Sequence, residues 1–330
     1  MTNHARLLAC LVPLALAGAG CEIGMAAGDG AVATFERRLT VSGPVELDVT
    51  SGSGDIQVLT GPAGTVLVRG RARATGHWLS FDGETGADAV RRIEQNPPIE
   101  QSGNRIQVGP RERSERWNGV SVSYVITVPA NTKVMARSGS GDLEVGDVAG
   151  PVDLSTGSGD IRIGRATEPV TARTGSGSID VDGAAALIAR TGSGNVLASV
   201  KGNIEASSGS GDITVSQTAP GRTDVSTGSG DISVMGVRGP VRVRASSGDV
   251  TLEGAPTAPW EVSASSGDVQ MRLPGDAAVD LDLHTGSGGI DTSLPVTISG
   301  KQSRHELRGQ VRGGGPRVHV STGSGSINLR

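Results

Sequence analysis

One short phrase, a small residue followed by Gly-Ser-Gly, an acid and an aliphatic, returns along most of this 330-residue chain. Aligned on its second glycine, the copies are anchored at Gly54, Gly141, Gly159, Gly177, Gly194, Gly211, Gly230, Gly248, Gly267, Gly288 and Gly325. From Gly141 to Gly267 the intervals are 18, 18, 17, 17, 19, 18 and 19 residues. A period of that length marks a repeat architecture, whose units are too small to bury an apolar face except against one another.

Each position of the repeat has its own character. Two residues after the anchor stand Ile56, Leu143, Ile161, Ile179, Val196, Ile213, Ile232, Val250, Val269, Ile290 and Ile327, all branched aliphatics. Four after it come Val58, Val145, Ile163, Val181, Ala198, Val215, Val234, Leu252, Met271, Thr292 and Leu329, with mostly polar residues in between. That alternation is a strand with one buried face. A second strand precedes the glycines, with Val152 and Leu154 flanking Asp153, and Val241 and Val243 flanking Arg242. Stacked at the strand-pairing distance of about 4.8 Å, such units form ladders of like residues. The predicted fold is therefore all-β: a single-stranded β-solenoid with coils of about 18 residues, about twelve of them in a rod of roughly 60 Å. A sandwich or barrel also uses many short strands, but does not require the same residue type at each equivalent position.

The period breaks twice. Gly54 and Gly141 are 87 residues apart, and the interval holds Trp78, Phe81, Trp117 and Tyr124. Within it "GADAVRRIEQNPP" predicts a short helix stopped by Pro97 and Pro98. Residues 32–135 thus read as irregular coils with a helical insertion and a cap, 136–273 as the regular array, and 274–330 as longer C-terminal coils. With aromatics at only 2% and glycine at 51 residues, the core must be thin and aliphatic.

At the N-terminus, His4 and Arg6 precede the apolar run "LLACLVPLALAGAG", which ends at Cys21. The run is too short for a comfortable membrane span and has the length of a signal-peptide core. It resembles a bacterial lipoprotein signal over 1–20, with Cys21 lipidated and 21–31 as a linker. Ala19 and Gly20 fit that pattern, and Gly18 departs from it. The alternative is an ordinary secretory signal cleaved at a small-x-small site such as Ala17-Gly18-Ala19. The expected location is the cell envelope, membrane-anchored, on the outer membrane if the source is Gram-negative. Cys10 lies inside the run, so the processed chain has no disulfide. A formal charge of −4, with both signs interspersed and no block of five like charges, gives no footprint for nucleic acid or for a polybasic membrane contact.

A phosphate cradle needs a helix after the glycines, whereas here a strand follows and no P-loop lysine is present. The residue after the anchor is Asp in seven copies: Asp55, Asp142, Asp160, Asp212, Asp231, Asp249 and Asp268. Stacked carboxylates invite a calcium reading. The glycine-to-Asp spacing does not match calcium-binding solenoids, however, and Ser178, Asn195, Gly289 and Ser326 interrupt the column. Turn capping is the simpler role. Serine stands directly before every anchor, Ser53 to Ser324, and Ser, Thr or Ala three before it; eleven equivalent serines offer no single nucleophile, and the stacked hydroxyls are read as corner packing. Polysaccharide cleavage would need two converging carboxylates, while Glu144, Asp153 and Asp180 belong to regular outward columns. Arg137, Arg173, Arg190 and Arg244 share one such column, an anion-facing stripe or a solvated face. No catalytic, cofactor or metal residue is assigned.

The motifs "SGSGDIQV", "VSYVITVPANTKVMARSGSGDLEV" and "HTGSGGIDTSLPVTISG…LRGQVRGGGPRVHVSTGSGSINL" resemble the bacterial putative-adhesin family over residues 32–330. The resemblance implies a β-strand-repeat domain of exported or membrane-anchored proteins, with no catalytic residues to carry over. The expected role is a non-enzymatic adhesive, scaffolding or interaction surface, with an envelope protein or glycan as partner. The alternatives are a carbohydrate-active β-helical enzyme and end-to-end self-association through the terminal strand "SINLR".

Overall fold

The computed structural model describes residues 30–75, 85–110, 119–299 and 303–330. Cys21 with its signal-like segment, and Trp78, Phe81 and Trp117 of the insertion, lie outside these residues. The alternating runs form strands that face each other across an aliphatic core. In one coil Val152, Leu154, Ile161 and Ile163 are buried while Arg162 is exposed, so period-two patterning sets which side of each strand faces inward. Each coil contributes one strand to each of two sheets, of 14 and 15 strands, here called sheets A and B. Neighbouring coils pair parallel and in register: Ile161 lies between Leu143 and Ile179, and Val152 between Val134 and Val170. The fold is a β-solenoid of two-strand coils.

The elements run in chain order as β1 (Val32–Thr40), β2 (Val45–Ser51), β3 (Ile56–Gly61), β4 (Thr65–Ala74), α1 (Gly86–Gln95), β5 (Ile99–Ser102), β6 (Arg105–Val108), β7 (Val120–Pro129), β8 (Thr132–Ser138) and β9 (Leu143–Val145). The regular array follows, from β10 (Val152–Thr156) to β22 (Trp260–Ser266) and β23 (Val269–Arg272). The chain closes with β24 (Val279–Thr285), β25 (Ile290–Thr292), β26 (Val296–Ile298), β27 (Glu306–Val311), β28 (Arg317–Ser324) and β29 (Ile327–Leu329).

The anchor glycines are required by the closeness of the stack. A Cβ on Gly159 would stand 2.0 Å from the Gly141 carbonyl oxygen, and one on Gly141 would stand 2.2 Å from that of Gly54. Six anchors, among them Gly194 and Gly211, also have positive φ, a conformation that glycine adopts without steric cost.

Successive stacking, expected throughout, fails at both ends. Coil β2–β3 sits between coil β8–β9 and coil β6–β7, so the chain builds an outer coil and then steps back over the first. At the other end β28–β29 is interposed between β22–β23 and β24–β25. The terminal strand "SINLR" is therefore an interior strand, paired on both sides. This corrects the expectation of a free terminal edge and removes its basis for end-to-end assembly.

Antiparallel strands close the stack. Sheet A is extended by β4 and β1, and sheet B by β5 at one end and the β26–β27 hairpin at the other. Helix α1 starts at Thr85, whose side chain accepts from the Asp88 amide in a capping box, and it ends before Pro97 and Pro98. Its buried Ala89, Val90 and Ile93 pack on the inner side of β1 and β4, where Phe35, Val66, Val68 and Ala72 are also buried. Phe35 meets Tyr124 edge to face at 6.4 Å and fills the space over Gly70, where a Cβ would stand 2.0 Å from its ring.

Candidate functional site

The corner beside each anchor glycine is held by two ladders that run from coil to coil. The first begins at the residue three before the anchor, Ser or Thr in most copies. These hydroxyls are buried and donate to the anchor carbonyl of the adjacent coil: Ser138 to Gly54 at 3.1 Å, Thr156 to Gly141 at 2.9 Å, Thr174 to Gly159 at 2.9 Å, Thr191 to Gly177 at 2.8 Å and Ser208 to Gly194 at 2.9 Å. The serine directly before the anchor, by contrast, is exposed in all eleven copies. Of the two hydroxyl columns that the sequence offers for the corner, the one three before the anchor packs it.

The second ladder is the Asp column. The Asp142 amide donates to Asp55 Oδ1 at 3.0 Å, Asp160 to Asp142 at 2.9 Å, Asp231 to Asp212 at 2.9 Å and Asp249 to Asp231 at 2.8 Å. Capping therefore takes place between coils, where the sequence reading had each Asp capping its own turn. The departures from Asp explain what the column selects. Ser178 donates to Asp160 and accepts from Asn195, and Asn195 accepts from Asp212. What persists is an acceptor oxygen at the right place, and the charge is dispensable. Among the described residues no group of three or more His, Cys, Asp or Glu is placed to hold a metal.

The outward Arg column is not a free cationic stripe. Arg137 faces Asp48 at 3.3 Å, Arg173 faces Asp153 at 3.6 Å and Arg244 faces Asp224 at 4.0 Å, each an acid of a neighbouring coil. The three weighed carboxylates do not converge. Asp153 is on sheet B, while Glu144 and Asp180 are on sheet A with Arg162 between them.

Among the described residues, the repeat's chemistry changes on sheet B near the C-terminal end. Across six adjacent strands one outward column reads Asp224, Arg242, Glu261, His319, Asp282 and Arg308. Arg242 grips Glu261 through Nε at 3.0 Å and Nη2 at 2.8 Å, and holds that carboxyl below its ordinary range. Asp282 receives Arg308 Nε at 3.1 Å, Arg317 Nη2 at 2.5 Å and His319 Nδ1 at 3.2 Å. Burial raises its pKa, but these partners outweigh burial and the net direction is down. Beside this column lies a depression of about 390 Å³ lined by Arg222, Pro240, Arg242, Pro259, Glu261, Arg317 and His319, with Trp260 and Thr223 at its base. Trp260 is buried and donates from Nε1 to the Gly239 carbonyl at 3.0 Å. The sequence reading missed this cluster. Its only advance signal is Trp260, an indole in a column otherwise filled by Val, Leu, Ile and Thr.

Chemically, the patch is suited to recognition. A general acid needs a carboxyl with a raised pKa, and both Glu261 and Asp282 are displaced the other way. Charges of both signs around an apolar base offer a partner directional contacts.

Among solved structures, the chain is similar to a putative adhesin from Bacteroides fragilis, at 12% identity over 90% of this chain and 97% of that one, with a TM-score of 0.36. It is also similar to a putative adhesin from Parabacteroides distasonis, at 12% identity over 92% and 98%, with a TM-score of 0.28. A putative cell adhesion protein from Clostridium sporogenes matches at 13% identity over 90% and 98%, with a TM-score of 0.20. No curated protein matches the chain. The Toastrack DUF4097 family matches residues 86–330, which takes in the regular array, the interposed C-terminal coil and the charged column, and the chain belongs to that family.

Proposed function

We propose that this chain is a non-enzymatic interaction protein of the cell envelope, anchored through a lipid on Cys21, whose partner, an envelope protein or glycan, docks at the depression around Trp260. The observation that carries the reading is the contrast between the corners and this patch. Repeated hydroxyls and carboxylates at the corners are engaged in coil-to-coil hydrogen bonds. The Trp260 depression brings apolar surface and charges of both signs together in a concavity over a buried indole. Membership in a family whose fold is a repeat scaffold agrees with a surface role. The anchor rests on the small residues and cysteine that end the N-terminal apolar run.

Site-specific photo-crosslinking in cells tests the docking site. A photoreactive residue at Arg222, on the rim, should capture an envelope protein or glycan, while one at Arg162 on the opposite sheet should not. Equal capture from both positions would refute the assignment. Glycan cleavage abolished by Asp282→Asn would instead make the patch an enzyme's active site. For the anchor, Cys21→Ser should move the protein from the membrane fraction to the soluble one.

A further inference from the structure

The outer face of β1 and β4, the antiparallel strands that extend sheet A at the N-terminal end, has a composition unlike the rest of the described residues. In register across β1 and β4, Val32 stands opposite Arg73, Thr34 opposite Arg71, Glu36 opposite Arg69 and Arg38 opposite Leu67. Arg38, Arg69, Arg71 and Arg73 are all exposed on this face, and Glu36, paired to Arg69 at 2.8 Å, is the one acid among these outward residues of β1 and β4. Arg38, Arg71 and Arg73 have no ion pair among the described residues, whereas Arg137, Arg173, Arg190 and Arg244 of the array each have one. The whole chain carries −4, so the positive charge here is local. Apolar side chains adjoin it: Val32, 40% exposed, is opposite Arg73, and Val125, 36% exposed, is opposite Arg69.

Edge protection does not account for this pattern. Charges that guard a sheet edge belong on the edge strand. Three of the four arginines lie on β4, which is paired on both sides by β1 and β7. Nor does packing account for it, since α1 covers the opposite side of the same strands. Guanidinium groups bind phosphate in a forked geometry, and apolar side chains among them suit the headgroup boundary of a bilayer.

We infer that this face lies on a membrane rich in anionic phospholipid, with Arg38, Arg71 and Arg73 on lipid phosphates and Val32 and Val125 at the headgroup level. Its orientation in the cell rests on the anchor reading above. Residues 22–31 separate Cys21 from β1, and at full extension reach about 35 Å, enough to lay the face flat on the bilayer that holds the lipid. A tether that short keeps the face at high effective concentration, so a weak contact suffices. The rod would then lie beside its membrane with the Trp260 depression near its far end.

The test uses the chain from residue 22 onward, which retains every described element. It is sedimented with vesicles of phosphatidylcholine alone or with about 30% phosphatidylglycerol. Binding is expected only with phosphatidylglycerol, and should weaken as salt rises from about 50 to about 300 mM. The triple variant Arg38→Gln, Arg71→Gln, Arg73→Gln should lose about 100-fold in affinity, roughly fivefold per arginine. Arg137→Gln, Arg173→Gln, Arg190→Gln on the other sheet should leave binding intact. If the first triple variant melts early, Arg71→Glu alone should still weaken binding. Equal binding to both vesicle types, parental affinity in the first triple variant and in Arg71→Glu, or dimerisation through β1 without vesicle binding would each overturn the inference. Because this chain lacks Cys21, its result is independent of lipidation. Absence of palmitate labelling at Cys21 in cells would overturn the anchor alone.

Discussion

At a corner of this solenoid, a single hydroxyl or carboxylate oxygen does work that is repeated along the stack. The Thr174 side chain is buried and satisfies the Gly159 carbonyl, so Thr174→Val, which keeps the shape and removes the donor, should cost about 1 kcal/mol in urea unfolding. The converse change is available in two coils. Ala245 and Ala264 occupy the ladder position, in register with Thr227 and Thr322, and offer no hydroxyl. Ala245→Thr should restore the donor toward Gly230 and add up to about 1 kcal/mol. Thr223 presents the opposite case, a buried Oγ1 with no partner in a column where Ile204 and Val241 flank it. Thr223→Val should leave stability equal or higher, and a loss would mean that the hydroxyl is satisfied in solution. The position of each polar column was legible in the sequence because the period is so regular. Its partner was not, since a hydrogen bond to the next coil and one within the turn select the same residue types.

At the scale of elements, the ends of the stack depart most from the order of the chain. The last coil supports what precedes it in sequence, because β28 and β29 lie between the array and β24–β25. In a solenoid stacked in chain order, removing the final coil would leave the others paired. Here, truncation after Pro316 should detach residues 274–311 as well, and limited proteolysis should show new cleavage throughout that segment. Continued protection of 274–311 would refute the interposed order. The same arrangement assembles the charged column from residues 261, 319 and 282, an order that no consecutive reading reveals. Asp282 titrates below its ordinary range in the fold. Its contribution to stability is therefore complete above the unfolded aspartate value of about 3.9, and is lost as pH falls through the lower folded value. Asp282→Asn should destabilise the protein at neutral pH and remove this part of its acid sensitivity, as read from melting temperature between about pH 2 and pH 6.

The whole molecule is a rod whose repeat is devoted to its own cohesion. The sheet edges are blunted: β5, β25 and β26 are three or four residues long, and the longer β1 carries Glu36, Arg37 and Arg38 at its centre. Light scattering of the chain from residue 22 should accordingly find a monomer, and concentration-dependent growth would point to edge pairing. The number and composition of the coils could be read from the sequence because every ladder repeats a residue type. The caps and the Trp260 patch could not, because they depend on unique contacts between segments far apart in the chain. The Asp column is a ladder of acceptor oxygens between coils. This is tested most directly by thermal unfolding of Asp231→Asn and Asp231→Ala, each with calcium and with chelator. If the ladder account holds, Asn will match or exceed the parent, as Asn195 serves in the same column, Ala will lose about 1 kcal/mol, and calcium will change nothing. Equal losses in both variants, with a parent that melts earlier in chelator, would contradict it and make the column a cation site.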